Sequence, residues 1–465
     1  MWGMAMRDMH GLEVTAASQA AADAFDATIL SYLAFANDIG ARLKDTLSLD
    51  PDFVLAHCFK GYLFHMMGSK ALTPRAAKEL ALAQTHAAKA TSRERLHVKA
   101  LEAWCHFDLQ GATNAWEAAA RDYPLDVLAV KMLHYTHFYM GDSHNLRDSV
   151  GRVWPAWHDK LPAYGYMLSM RAFGLEETGA YDEALRLATR AYELNPNDAW
   201  AVHAVAHVHE IRDQSDAGLA WLERCLAGGG KQWHNFRYHL VWHQALVLLE
   251  MERSDQALAL YDHAMWDPAS DEYLDLANDT SLLLRLEMAG VSVGDRWQIL
   301  AEKVKGRKDE HLLAFVDAHF MMPLAAVASD HAAQFLSSID AYMDTTDDTY
   351  ASVSKAVARD LYAAVFAYQT GQFESCVETL EPVRSLVHLV GGSHAQRDVF
   401  AKMLIEAAVK AGRLSLARSL LYERVSARPR NVRAWNRLSY VLRQLGDVDS
   451  ALNAARTAQD LHHKV

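Results

Sequence analysis

Along much of the chain, small and apolar residues return at intervals that suit a helix, and each run is closed by a glycine or a proline. In "LEETGAYDEALRLATRAYELNPNDAW", Gly179 and Tyr181 mark a turn, Ala184 and Ala191 lie seven apart on the next helix, and Pro196 ends the unit. Small residues at the two alanine sites let paired helices approach closely, while glycine supplies the turn and proline stops the helix. "AWNRLSYVLRQLGDVDSALNAARTAQ" repeats the arrangement with Trp435, Leu438, Ser439 and Leu442 on one helix, then Gly446, Val448, Ala451 and Ala458. Weaker copies place Gly412, Leu414, Ala417 and Pro429, then Gly371, Phe373 and Cys376, then Ala257 and Ala264 at matching sites.

Ala417 and Ala451 are 34 residues apart. A 34-residue period of helix–turn–helix units is the signature of the tetratricopeptide repeat. The expected fold is therefore all-α, with repeats stacked into a curved right-handed solenoid because neither helix of a pair can bury its apolar face alone. First helices are expected to line its concave surface. The pattern divides the chain into an N-terminal array over 1–267, an irregular helical connecting region over 268–355, and C-terminal repeats over 356–465. The middle region fits the period poorly and holds the loops "AGVSVGDRW" and "MDTTDDTY".

Composition agrees with long helices, since only 10 prolines and 23 glycines punctuate 465 residues. The net charge of −12 disfavours nucleic acid and anionic membranes as partners. Cys58, Cys105, Cys225 and Cys376 are scattered and form no CxxC pair, as expected of thiols in a reducing compartment. "MWGMAMRDMHGLEV" lacks the pattern of a secretory signal, and no window reaches the roughly 18 apolar residues of a membrane span. A cytoplasmic protein is expected; the oligomeric state is not legible.

Several segments carry a closer likeness: "RERLHVKALE", "RDSVGRVWPAW", "NPNDAWAVHAVAHVHE", "VWHQAL", "GVSVGDRW", "DAHFMM" and "GGSHAQRDVF". With these the sequence resembles the tetratricopeptide repeat protein thirty-eight family, an all-helical group, across nearly the whole chain. The resemblance implies a fold and a cytoplasmic character but supplies no reaction. Its segments hold His203, His207, His209 and Glu210, then His239 and His243, Asp317 and His319, and Gln396, Arg397 and Asp398. His394 reads as a departure from the family segment and carries little weight.

Helical geometry sorts the histidines. His203, His207 and Glu210 are spaced i, i+4 and i+7 and share one stripe. His209 lies roughly 160° from His207 and points towards a neighbouring helix or the repeat interior. His239 and His243 form a second i, i+4 pair with Trp242 beside them, and repeat alignment makes His203 and His243 equivalent positions on successive first helices. Four imidazoles and one carboxylate are thus expected on the concave wall.

Two chemistries suit such a group. His203, His207, His239 and His243 would chelate a divalent metal such as zinc. With the metal, Glu210 would serve as ligand or base in metal-assisted hydrolysis; without it, His203, His207, Glu210 and His243 would act as acid and base. His239, Trp242, Asp317, His319, Arg397 and Asp398 are the expected ligand-binding set, provided the superhelix brings the last four in. The plainer alternative is that packed helices satisfy these imidazoles with backbone or carboxylate partners. Arg397 and Asp398 read as a structural salt bridge, and Trp154, Trp157 and Trp200 as packing residues. "AGGGK" lacks P-loop spacing and reads as a turn, and "GVSVGDRW" is no nucleotide fingerprint. Two functions stay open: a small-molecule pocket on the concave wall, or a groove for a peptide or partner protein.

Overall fold

Where alanines recur seven apart, the chain folds into antiparallel helix pairs. In the computed structural model, residues 6–229, 233–327 and 330–462 are described. Gly230 and Lys231 of the "AGGGK" turn, and the first five residues of the opening segment, lie outside them. Among the described residues the only strands are Met6–Arg7 and Glu13–Val14, an antiparallel hairpin in which Met6 faces Val14 and Arg7 faces Glu13. All else that is regular is helix. No described helix is long and apolar enough to cross a membrane. All four cysteines are free thiols.

The chain divides into two compact units, both discontinuous in sequence. The first comprises residues 1–205, 228–237 and 346–352. Its repeats are hairpins such as Tyr164–Glu176 with Tyr181–Leu194, joined by a turn in which Gly179 takes a φ of +86° that disfavours any side chain. Ala184, Leu187, Ala188 and Ala191 form the buried face of the second helix. Trp157 and Trp200 are buried as packing residues; their indole N–H groups donate to the Pro124 carbonyl at 2.9 Å and His134 Nε2 at 3.1 Å. Trp154 is half-buried beneath the Arg171 guanidinium, 4.4 Å from its ring. Residues 346–352 are tied in where the Thr349 N–H donates to the Phe107 carbonyl and Leu109 N–H to Thr349 Oγ1, at 3.3 and 3.1 Å.

The second unit comprises residues 206–227, 238–345 and 353–465. Its last hairpin, Val432–Gln444 with Val448–His462, follows the repeat pattern closely. Leu438, Ser439, Leu442, Ala451 and Ala458 are buried, and Gly446 makes the turn at φ +82°. Asn431 caps the first helix by accepting from the Ala434 N–H at 2.8 Å.

One repeat departs from the expected register. The helix Ser254–Leu260 passes into a π turn at Tyr261–Met265. The wider turn shifts the helical phase, so Ala257 is buried as expected whereas Ala264 is exposed and Met265 occupies the interior. The segment read as irregular contributes the helices Tyr273–Met288, Arg296–Val304, Ala314–Ala326 and Asp330–Thr345, and all of it but residues 346–352 belongs to the second unit.

Candidate functional site

The helix Ala199–Ile211 carries "AVHAVAHVHE". It starts where the Asp198 carboxylate accepts from the N–H groups of Trp200 and Ala201, at 3.0 and 3.1 Å. Burial pushes the Asp198 carboxyl up to about 6. The boundary between the two units falls inside this helix, after Val205. His203 therefore belongs to the first unit. Its ring lies 4.8 Å from Trp200, 5.1 Å from Phe173 and 5.3 Å from Phe236, an aromatic setting. His209 turns to the next helix, where its Nδ1 meets Gln214 Oε1 at 2.9 Å and its Cβ would lie 3.2 Å from any Cβ added at Gly218.

His207 and Glu210 belong to the second unit, and the helix Phe236–Glu250 brings His239, Trp242 and His243 against them. The rings of His207 and His243 are 4.7 Å apart, and those of His239 and His243 are 4.8 Å apart. His239 also stacks on Trp242 at 5.2 Å. All four rings are buried. So the predicted i, i+4 pair on this helix does meet the histidine helix, through His207.

Partners fix the tautomers. Glu210 Oε2 lies 3.0 Å from His243 Nδ1 and, as a carboxylate, accepts a hydrogen bond from its N–H. In the neutral ring this leaves the lone pair on Nε2. The Asn278 side-chain oxygen lies 2.9 Å from His239 Nδ1 and does the same there. Burial, with His243 adding to it, pulls the His239 pKa well below its ordinary value and keeps that ring neutral. Two adjacent imidazoles thus present basic Nε2 atoms in a desolvated place.

The remaining predicted residues divide. Asp317 turns to His311, whose Nδ1 is 3.1 Å from its carboxylate. Despite that partner, burial raises the Asp317 carboxyl. His319 donates from Nδ1 to the Phe315 carbonyl at 2.7 Å and packs between Phe315 and Phe400. Burial lowers its pKa to about 3. Asp398 forms an ion pair, but with Arg424 rather than its neighbour Arg397: two guanidinium nitrogens reach its two oxygens at 2.6 and 2.9 Å. Arg397 instead donates to the Gly392 carbonyl. Consecutive helical residues point about 100° apart, so the two side chains diverge.

Three participants were not legible as such. Asn278 and Arg285 lie on the helix Tyr273–Met288, in the stretch without a repeat signature. The Arg285 guanidinium sits 5.3 Å from the Trp242 ring and donates to the Ser281 hydroxyl and, at 2.9 Å, to the Ala395 carbonyl. The third is His394, whose ring is 5.2 Å from His207. Its signal was the "GGSHAQ" start itself. Ser393 and Gln396 form a capping box, and Gly392 takes φ +80° where a Cβ would meet the Phe315 ring at 2.8 Å, so the chain enters this helix along one fixed path.

An ion network seals the end of the histidine helix. Arg428 donates to the Glu210 carbonyl at 2.8 Å and to the Asp213 carboxylate, a cation at a helix C-terminus. Asn431 bridges Asp213 and Glu250, at 2.8 and 2.9 Å. Lys402 pairs with Glu250 at 2.7 Å. Burial alone would raise the Glu250 carboxyl, but Lys402 and the nearby arginines hold it well below the usual range.

Comparison with known proteins follows the same lines. A model of the tetratricopeptide repeat family matches residues 432–461. Among solved structures, the chain is similar to the human IFIT1 dimer with PPP-AAAA, at 12% identity over 94% of this chain and 95% of that one, with a TM-score of 0.39. The human IFIT1 dimer with m7Gppp-AAAA gives the same identity and coverage at a TM-score of 0.41. Naa15/Naa10 bound to HypK-THB gives 16% over 96% of this chain and 64% of that one, at 0.25. Likeness of that degree transfers no ligand. With its helix hairpins and its matched C-terminal repeat, the chain is an all-α helical-repeat protein that carries a tetratricopeptide repeat at residues 432–461.

Proposed function

We propose that the second unit binds a small ligand at the centre formed by His207, His239, His243 and Glu210. The observation that carries this is the pair of neighbouring imidazoles whose Nδ1 atoms are engaged by Glu210 and Asn278. Their Nε2 lone pairs suit either a borderline divalent metal such as zinc or an acidic hydrogen-bond donor on an organic ligand. Glu210 on His243 is also the arrangement that orients a general base, which is the acid–base form of the same reading. Kinship with the tetratricopeptide repeat protein thirty-eight family belongs to this proposal and adds no reaction to it. Nucleic acid is left aside because the chain carries a net charge of −12.

The test is elemental analysis and native mass spectrometry of the purified protein, followed by Zn²⁺ titration after chelation, in the parent, His207→Ala and His243→Ala. The expected result is one bound ion or molecule per chain, lost or weakened at least tenfold in both variants. No bound species and no saturable Zn²⁺ binding, or binding equal in all three proteins, would overturn it.

A further inference from the structure

Beside the imidazole centre, the second unit holds a cavity of about 450 Å³. That volume is in the range of small-molecule sites. Its walls come from five helices: Phe236–Glu250, Tyr273–Met288, His394–Lys410, Leu414–Ala427 and Val432–Gln444. Apolar wall is supplied by Leu249, Met288, Ile405 and Leu421.

The charges lining it are unequal. Arg285, Lys402, Arg424, Arg433 and Arg437 face Glu250, Glu252 and Glu406. Most are matched: Lys402 with Glu250, Arg437 with Glu406, and Arg424 with Asp398 behind the wall. Two guanidinium groups are not. Arg433 donates to the Leu249 carbonyl at 2.5 Å, and Arg285 to hydroxyl and carbonyl oxygens only. Neither is bonded to a carboxylate among the described residues, and Arg285 is 4% exposed with its Nε lacking an acceptor. Against these two stands the single carboxylate of Glu252. The cavity therefore carries about one positive charge more than its carboxylates balance, and a buried unmatched guanidinium is several kcal/mol less favourable than a matched one.

We infer that this cavity binds a small amphipathic anion, its carboxylate or phosphate drawn to Arg285 and Arg433 and its apolar body lying on Met288, Ile405 and Leu421. Guanidinium forks match the two oxygens of either headgroup, which is why arginine suits such ligands. The inference stands independently of the imidazole centre, because none of the three histidines lines the cavity.

The test is calorimetric titration of the full chain with octanoate, octyl phosphate and, as the uncharged probe, octanol. Saturable one-to-one binding of octanoate or octyl phosphate is expected, at least tenfold tighter than octanol, and the tighter of the two names the headgroup. Arg433→Met should weaken it at least tenfold, as should Arg285→Met, with helicity checked by circular dichroism. Arg384→Ala, on an exposed ion pair with Glu423, should leave it unchanged. Failure of both anions to saturate, binding equal to octanol, or binding that survives Arg433→Met would overturn the inference, whatever the histidine variants do with Zn²⁺.

Discussion

Arg93 in the first unit and Arg285 in the second are both guanidinium groups sealed inside helix packing, each 4% exposed. Both leave Nε without an acceptor, so that atom does not distinguish them. Their counterions do. Arg93 reaches Asp8 at 2.9 Å and Asp126 at 3.4 Å, and Asp126 also takes His97 at 3.0 Å. Burial pulls the Arg93 pKa down, yet Asp126 and Asp8 more than offset it. Arg285 is bonded only to hydroxyl and carbonyl dipoles, and burial, which Asp398, Glu210 and Glu250 offset only in part from a distance, brings its pKa down to about 10. A matched buried charge is part of what holds a fold together, whereas an unmatched one is a cost the fold bears. The first cluster reads as architecture and the second as a place prepared for something negative.

The sharpest way to break this contrast is to remove each guanidinium in turn. Arg93→Met takes the cation from Asp8 and leaves Asp126 with His97 alone, and should cost about 3–5 kcal/mol, seen as faster hydrogen exchange in the helix Ser92–Cys105. Arg285→Met strands no carboxylate, and the Ala395 carbonyl still has its place in the helix ladder. Its cost should stay below about 1 kcal/mol. Equal losses would erase the distinction.

A smaller effect concerns acid. His319 has a folded pKa of about 3 against about 6.5 in an unfolded chain. Between those values the unfolded state holds a proton that the folded state does not, so stability rises with pH and is lost as pH falls from about 6.5 towards 3. His319→Leu should remove this dependence, leaving the protein about 2 kcal/mol more stable than the parent at pH 5 and near parity at pH 8. Hydrogen exchange in Ala314–Ala326 at the two pH values reads it; identical pH slopes would sink the assignment. Smallest of all is the exposed pair Arg384–Glu423, whose double alanine variant should shift stability by less than about 0.5 kcal/mol. A larger loss would mean that ion pairing outside the core also matters here.

Sequence reasoning reached the repeats because small residues at fixed spacing have one physical use, and Ala417, Ala451 and Ala458 are buried as that use requires. It reached His239 and His243 for a similar reason, since i, i+4 spacing determines a shared face without tertiary knowledge. It missed Asn278, Arg285 and His394 because their roles depend on helices distant in sequence. Nor does periodicity reveal a π turn, which is why Ala264 was expected inside and lies outside. The Asp398 partner was misread for the opposite reason: adjacency in sequence suggested Arg397, but adjacent helical side chains diverge and Arg424, 26 residues on, closes the pair.

The sequence-discontinuous make-up of the first unit has a consequence for biosynthesis. Its contact between Phe107 and Thr349 joins residues 242 positions apart, and most of the second unit's helices lie between them along the chain. A nascent chain emerging from the ribosome can zip up the early hairpins one after another, yet the seam at Phe107 waits until residue 352 is out. By then Tyr238–Thr345 has already emerged and is free to pair with itself. The first unit therefore stays open until residue 352 has been made, and its open seam is where a chaperone would have most to protect during synthesis.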